Sequence, residues 1–196
     1  MHPTQSQLCA DHFNFLRLLR SLELEIACYE VASEGRLPVI LDIFDYVQVY
    51  PEKWHHPIEE IAFETLLKRQ AENSDVIWGM RAEHNALEEI THKVHEMFIA
   101  VANDTIVPAD KLVTATRDFV ARQLDHINRE NRLIYPLFNK YLSTQDWDAI
   151  TEKVQAKQDP LFSEHLCQEY RSLYKSILRG ERGTALGATA RAVNGN

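Results

Sequence analysis

Tyr50-Pro51-Glu52-Lys53-Trp54-His55-His56-Pro57-Ile58-Glu59-Glu60 sets two adjacent histidines ahead of two adjacent carboxylates, between prolines 51 and 57. His55 and Glu59 stand four residues apart. On a helix that spacing puts both side chains on one face, about one turn apart, so an imidazole and a carboxylate can converge on one metal ion or on adjacent ones. The same spacing returns at His126 and Glu130, within Asp125-His126-Ile127-Asn128-Arg129-Glu130. A lone histidine precedes each pair: His12 ahead of the first, and His84, in a Glu83-His84 dipeptide, ahead of the second. The interval from His12 to His55 differs by one position from that between His84 and His126. Two helical hairpins therefore repeat one layout.

A single HxxxE is common as a solvated pair on a helix surface. Helical phase separates these from that ordinary case. His12 falls in the stripe of Leu8, Phe15 and Leu19; His55 and Glu59 continue that of Val47, Ala62 and Leu66; His126 and Glu130 lie between Phe119 and Leu133. Ionisable groups on core-facing stripes need partners, and a metal supplies one to all of them together. Imidazole and carboxylate suit iron, manganese or zinc, and no cysteine belongs to the set. An up-down-up-down bundle would gather such ligands around one axis. Glu88, one turn after His84, is a further candidate, whereas His92 and His95 read as surface or edge residues and His2 and His165 have no companion pattern.

The rest of the chain agrees with an all-α body. Only six glycines occur, and four of them (Gly180, Gly183, Gly187, Gly195) lie near the end, so the first 179 residues are mostly helix formers. The apolar periodicity predicts a helix from Gln5 to Ser33, closed by Glu34-Gly35-Arg36-Leu37-Pro38. A second runs from Val39 to Arg69 with a kink or break near Tyr50-Pro51. A third spans Ser74 to Ala102, and a fourth Ala109 to Tyr141 with a kink near Pro136. Ser143-Thr144-Gln145-Asp146 reads as the start of a short helix to Lys157, and Asp159-Pro160 as the opening of another to Arg179. The glycine-rich tail from Gly180 reads as disordered. The expected units are thus a bundle over 1–142, two shorter helices packed on it over 143–179, and a tail over 180–196. Trp147, Ile150, Leu161, Phe162, Leu166, Tyr170, Leu173 and Ile177 give those short helices an apolar face that either packs on the bundle or forms a homodimer.

Charge narrows the function classes. With 21 basic against 29 acidic residues the formal charge is -8, without a basic stripe, so neither nucleic acid nor an anionic membrane is an expected partner. The amino-terminal stretch lacks the pattern of a signal peptide, no apolar run is long enough to span a bilayer, and a cytoplasmic location is expected. Cys9, Cys28 and Cys167, widely spaced and odd in number, read as reduced, buried thiols.

The ordered series of His12, the His55-His56-Pro57-Ile58-Glu59 core, Glu83-His84, and His126 to Glu130 leading into Ile134-Tyr135-Pro136 resembles the hemerythrin HHE cation-binding domain over residues 8 to 138. The resemblance implies a four-helix bundle holding two non-haem iron ions through His12, His55, Glu59, His84, His126 and Glu130, with the two carboxylates bridging. His56 is a further candidate ligand. A register moved by one residue would pair it with Glu60, and both histidines could also bind. Oxygen-carrying hemerythrins resemble a pattern with two histidines one turn apart on the third helix and an aspartate after the last histidine. Here Glu88 and Glu130 stand in those places. The chain is thereby moved toward the branch of oxygen, nitric oxide or peroxide sensors, and no added cysteine-bearing domain of the iron-sulfur repair type is expected. Three functions follow: a di-iron protein that binds or senses a small oxidant or diatomic gas, a di-iron enzyme degrading peroxide, or a metal-free helical interaction module. Manganese or zinc could replace iron in the first two.

Overall fold

The computed structural model describes residues 1–32, 37–69, 74–154 and 158–193, with the side chains among them except those of 31–32 and 183–193. The proposed cap at residues 34–36 lies outside the described residues. Among the described residues eight α-helices run in chain order: α1 Pro3–Ala32, α2 Leu37–Val49, α3 His56–Lys68, α4 Ser74–Ala102, α5 Ala109–Arg129, α6 Tyr135–Tyr141, α7 Thr144–Lys153 and α8 Arg171–Val193. No strand occurs among the described residues.

Four rods make the bundle: α1, α2 with α3, α4, and α5 with α6. Rod α4 lies against both compound rods, and α1 packs on α2 and α5. Inward positions fall where the periodicity placed them. Leu8, Leu18, Leu22, Ile40, Ile43, Phe44, Phe63, Phe98, Phe119 and Phe138 are fully buried. The aromatic core divides in two. Phe44 packs on Phe98 and Phe119 at centroid distances of 5.9 and 5.1 Å, and Phe138 packs on Phe63 and Trp147 at 6.0 and 5.4 Å. All four rods also contribute to a layer of buried histidines and carboxylates.

Both compound rods are joined by a widened π turn, Pro51–His55 in the first and Glu130–Ile134 in the second. Proline is the cause in each. Pro57 has no N–H for the carbonyl four residues back, and the turn before it opens so that the His56 N–H reaches the Pro51 carbonyl, five residues away. Pro136 follows an equivalent turn, with the Tyr135 N–H on the Glu130 carbonyl. The kinks expected from the prolines are thus single inserted residues that rotate the helical phase without breaking the rod. That rotation lets His55 and His56, adjacent in sequence, both face inward with Glu59.

Asp104 closes α4 in the left-handed region, φ 59°, where a short polar side chain is tolerated. Ser143 and Asp146 form a reciprocal capping box at the start of α7. The expected helix from Pro160 is corrected: the last helix begins at Arg171. Asp159 instead turns the chain, accepting the N–H groups of Leu161 and Phe162 at 2.8 and 3.0 Å, while the Tyr46 hydroxyl donates to it at 3.1 Å. That last helix, α8, continues to Val193. It runs close to α1: a Cβ on Gly180 would meet Leu24 Cδ1 at 2.9 Å, and Glu181 pairs with Arg17 at 2.6 Å. Residues 194–196 lie outside the described residues. Trp147, Ile150, Leu161, Tyr170, Leu173 and Ile177 are buried within the chain, so this apolar face packs on the bundle. The three cysteines are free, but Cys28 and Cys167 are exposed and Cys9 is half-buried, which corrects the expectation of buried thiols.

Candidate metal centre

Each rod delivers part of the buried layer. His12 comes from α1, His55 and His56 from the junction of the first π turn with α3, Glu59 from α3, His84 from α4, His126 from α5, and Glu130 from the start of the second π turn. All seven are at most 5 % exposed. Their donor atoms gather in two groups, His12 with His55, Glu59 and Glu130, and His56 with His84 and His126, the atoms within each group lying within 4.8 Å of one another.

The hydrogen bonds on the outer side of the rings decide what faces inward. His55 Nδ1 donates to Asp11 at 3.0 Å, His84 Nδ1 to Glu60 at 2.9 Å, and His126 Nδ1 to Glu83 at 3.3 Å. His12 Nδ1 stands 3.0 Å from Asn131 Oδ1. An ionised carboxylate only accepts, so the proton sits on Nδ1 and the Nε2 lone pair points into the layer. There the Nε2 atoms face carboxylate oxygens: His12 and Glu130 at 3.2 Å, His55 and Glu59 at 3.4 Å, His84 and Glu130 at 3.3 Å, His126 and Glu130 at 3.3 Å. Acceptor meets acceptor at each of these contacts, an arrangement that is stable only with a cation between them, a proton or a metal. Glu59 Oε2, Glu130 Oε2, His126 Nε2 and His56 Nδ1 are buried without hydrogen-bond partners. The donor set fits a metal centre.

Electrostatics describe the same layer loaded with protons. Burial opposes charge on His55, yet Glu59 and Asp11 push its pKa up to about 10. Burial likewise opposes charge on His84, but hydrogen bonds to Glu130, Glu59 and Glu60 hold it well above its ordinary value. His56 is driven well below by burial and then by the charges on His84 and His55. Burial also lowers His126. Glu59 stays ionised despite its burial, since His55 and its other histidine neighbours hold it well below the usual carboxylate range. Tyr135, whose pKa burial raises, donates to Glu59 Oε1 at 2.8 Å and stands 3.2 Å from His12 Nε2.

Sequence reasoning left the His55/Glu59 and His56/Glu60 registers open. The fold turns Glu59 into the layer and Glu60 to its edge, where it receives His84 and Arg81, while both histidines enter. Glu88 lies outside both groups, half-buried at the rim of a cleft. Leu133, on the expected inward stripe, is 43 % exposed because the π turn rotates it outward. Asp11, Glu83 and Asn131 were missed as supports of the histidine rings. One signal could have found the first two: an acid stands immediately before His12 and before His84, and each of those acids holds a histidine of another rod. Arg129 in turn pairs with Glu83.

Beside the layer, touching His12, His55, His56, His126 and Glu130, lies a void of about 20 Å³ walled by Phe15, Leu18, Leu19, Val47, Phe119 and Ile127. It has room for one water-sized molecule. A cleft of about 570 Å³ lies between α1, α7 and residues 158–165, and none of the seven inward ligands lines it.

Four helical rods that turn a buried nest of histidines and carboxylates inward make a bundle suited to metal cations. The chain belongs to the hemerythrin family, since the model of the hemerythrin HHE cation binding domain matches residues 5–138. No curated protein matches the chain. No helix among the described residues is long and apolar enough to cross a membrane.

Proposed function

We propose that this chain holds two non-haem iron ions and uses them to bind or sense a small oxidant or diatomic gas: oxygen, nitric oxide or peroxide. His12, His55, Glu59 and Glu130 serve one ion and His56, His84 and His126 the other, and the same two carboxylates also reach His84 Nε2 of the second group, at 3.5 and 3.3 Å. The observation that carries the reading is the set of Nε2 lone pairs turned toward carboxylate oxygens, with an apolar void of one-molecule size beside them. Iron, when bound, supplies reversible electron transfer to such a ligand.

The protein's own groups set the conditions. Asp11, Glu60 and Glu83 fix the ring orientations and raise the basicity of the histidines they hold. Phe15, Leu18 and Phe119 keep bulk water from the void. Tyr135 holds a proton at its hydroxyl beside Glu59 and His12, where it can be shared with a bound anion. Metal analysis of the native protein, with anaerobic and oxygen-exposed visible spectra, tests the reading. Two irons per chain and a reversible spectral change on ligand addition are expected. Steady oxygen release from peroxide would favour the enzyme, and protein purified without any transition metal would favour the metal-free module.

A further inference from the structure

A second cavity reaches the histidine layer. A cleft of about 480 Å³ lies between the first π turn, α3 and α4, lined by Glu52, His56, Glu60, Trp78, His84 and Glu88 among others. His56 and His84 belong to the inward layer, and His56 also lines the apolar void.

Glu52 is the unusual member. It is 4 % exposed, and neither carboxylate oxygen has a hydrogen-bond partner. The neighbouring Thr91 hydroxyl gives its proton to the Leu87 carbonyl at 2.7 Å. Arg81 at the cleft wall is taken by Glu60 at 2.6 Å and Glu64 at 3.6 Å, and stacks on Trp78. Burial pushes the Glu52 pKa up to about 7; the nearby Thr91 hydroxyl and exposed Lys53 oppose the rise, and Glu88 adds to it. A buried carboxyl without counter-charge is costly. Here it stands in the same cleft as His56, whose Nδ1 also lacks a partner.

We propose that this cleft is the loading port of the metal centre, where Glu52, with Glu88 at the rim, holds a divalent cation before His56 and His84 receive it. The proposal rests on the metal-centre reading above. Carboxylate oxygens suit a partly hydrated divalent cation, which exchanges water for imidazole nitrogen as it moves inward.

The test is anaerobic stopped-flow loading of the metal-free chain with cobalt(II), read by its visible absorption. Glu52→Gln is expected to slow loading about tenfold, the scale at which one carboxylate alters cation encounter, with the final amplitude unchanged. Glu88→Gln slows it less, and Asp118→Asn, exposed on α5 and paired with Arg122, leaves it unchanged. Loading of Glu52→Gln at the wild-type rate, or equal slowing by Asp118→Asn, overturns the port. If Glu52→Gln fails to fold by circular dichroism, the Glu88→Gln rate decides: slower supports the port, unchanged overturns it. A wild-type chain that takes up no cobalt overturns the metal centre, and the port with it.

Discussion

The imidazole of His56 lies flat on that of His84, with ring centroids 4.2 Å apart and planes within 11°. Two imidazolium rings cannot share that contact at low cost, so one is neutral. His84, bonded to three carboxylates, carries the charge, and His56 keeps its lone pairs. The pair is therefore a ready metal ligand beside one that must first give up a proton, and several measurable consequences depend on that asymmetry.

Loss of His55 or of His56 should each remove one metal and leave the other, because the two histidines belong to different donor groups. Glu59→Ala should remove both, since its carboxylate contacts His12 and His55 through one oxygen and His84 through the other. Metal stoichiometry of the three variants checks this. Two metals retained by His56→Ala would exclude it from the ligand set.

Asp11→Asn keeps the shape of the side chain but removes the charge that holds His55 Nδ1–H. Metal affinity should fall by about 10- to 100-fold, with stoichiometry recovered at saturating metal. A titration against a competing chelator reads the change.

The metal-free and metal-loaded forms should respond oppositely to pH. His55, with its folded pKa raised to about 10, stabilises the metal-free fold fully below its unfolded value near 6.5, and that contribution is lost as pH rises toward 10. His84 acts in the same direction. Glu59, lowered, contributes above its unfolded value and loses this at lower pH. Metal must displace the protons on His55 and His84, so affinity should rise over the alkaline range in which the metal-free melting temperature falls. Thermal melts and metal titrations between pH 6 and 10, roughly the span of those two values, check the crossing.

Tyr135→Phe leaves Glu59 without its hydroxyl donor in a fully buried place. A loss of about 1–3 kcal/mol in metal-free stability is expected from denaturant unfolding, with metal stoichiometry unchanged.

Much of the bundle was legible because apolar periodicity is a local property. The third helix was read from Ser74 to Ala102, as found, and Pro57 and Pro136 announced the two distortions. The last helix was misread, since the Asp159 turn is held by Tyr46, a residue far away in sequence that no local pattern reveals.

The same division holds at the site. The all-α fold and the inward phase of His12, His55, Glu59, His126 and Glu130 were legible along the chain, because spacing along a helix fixes which side chains share a face. That His55 and His56 enter together, that Glu60 turns to the edge, and that Asp11 and Glu83 hold rings on other rods emerges from the packing of the rods. Those outcomes depend on one inserted residue in a π turn and on contacts between helices. Neither is written in the periodicity of a single rod.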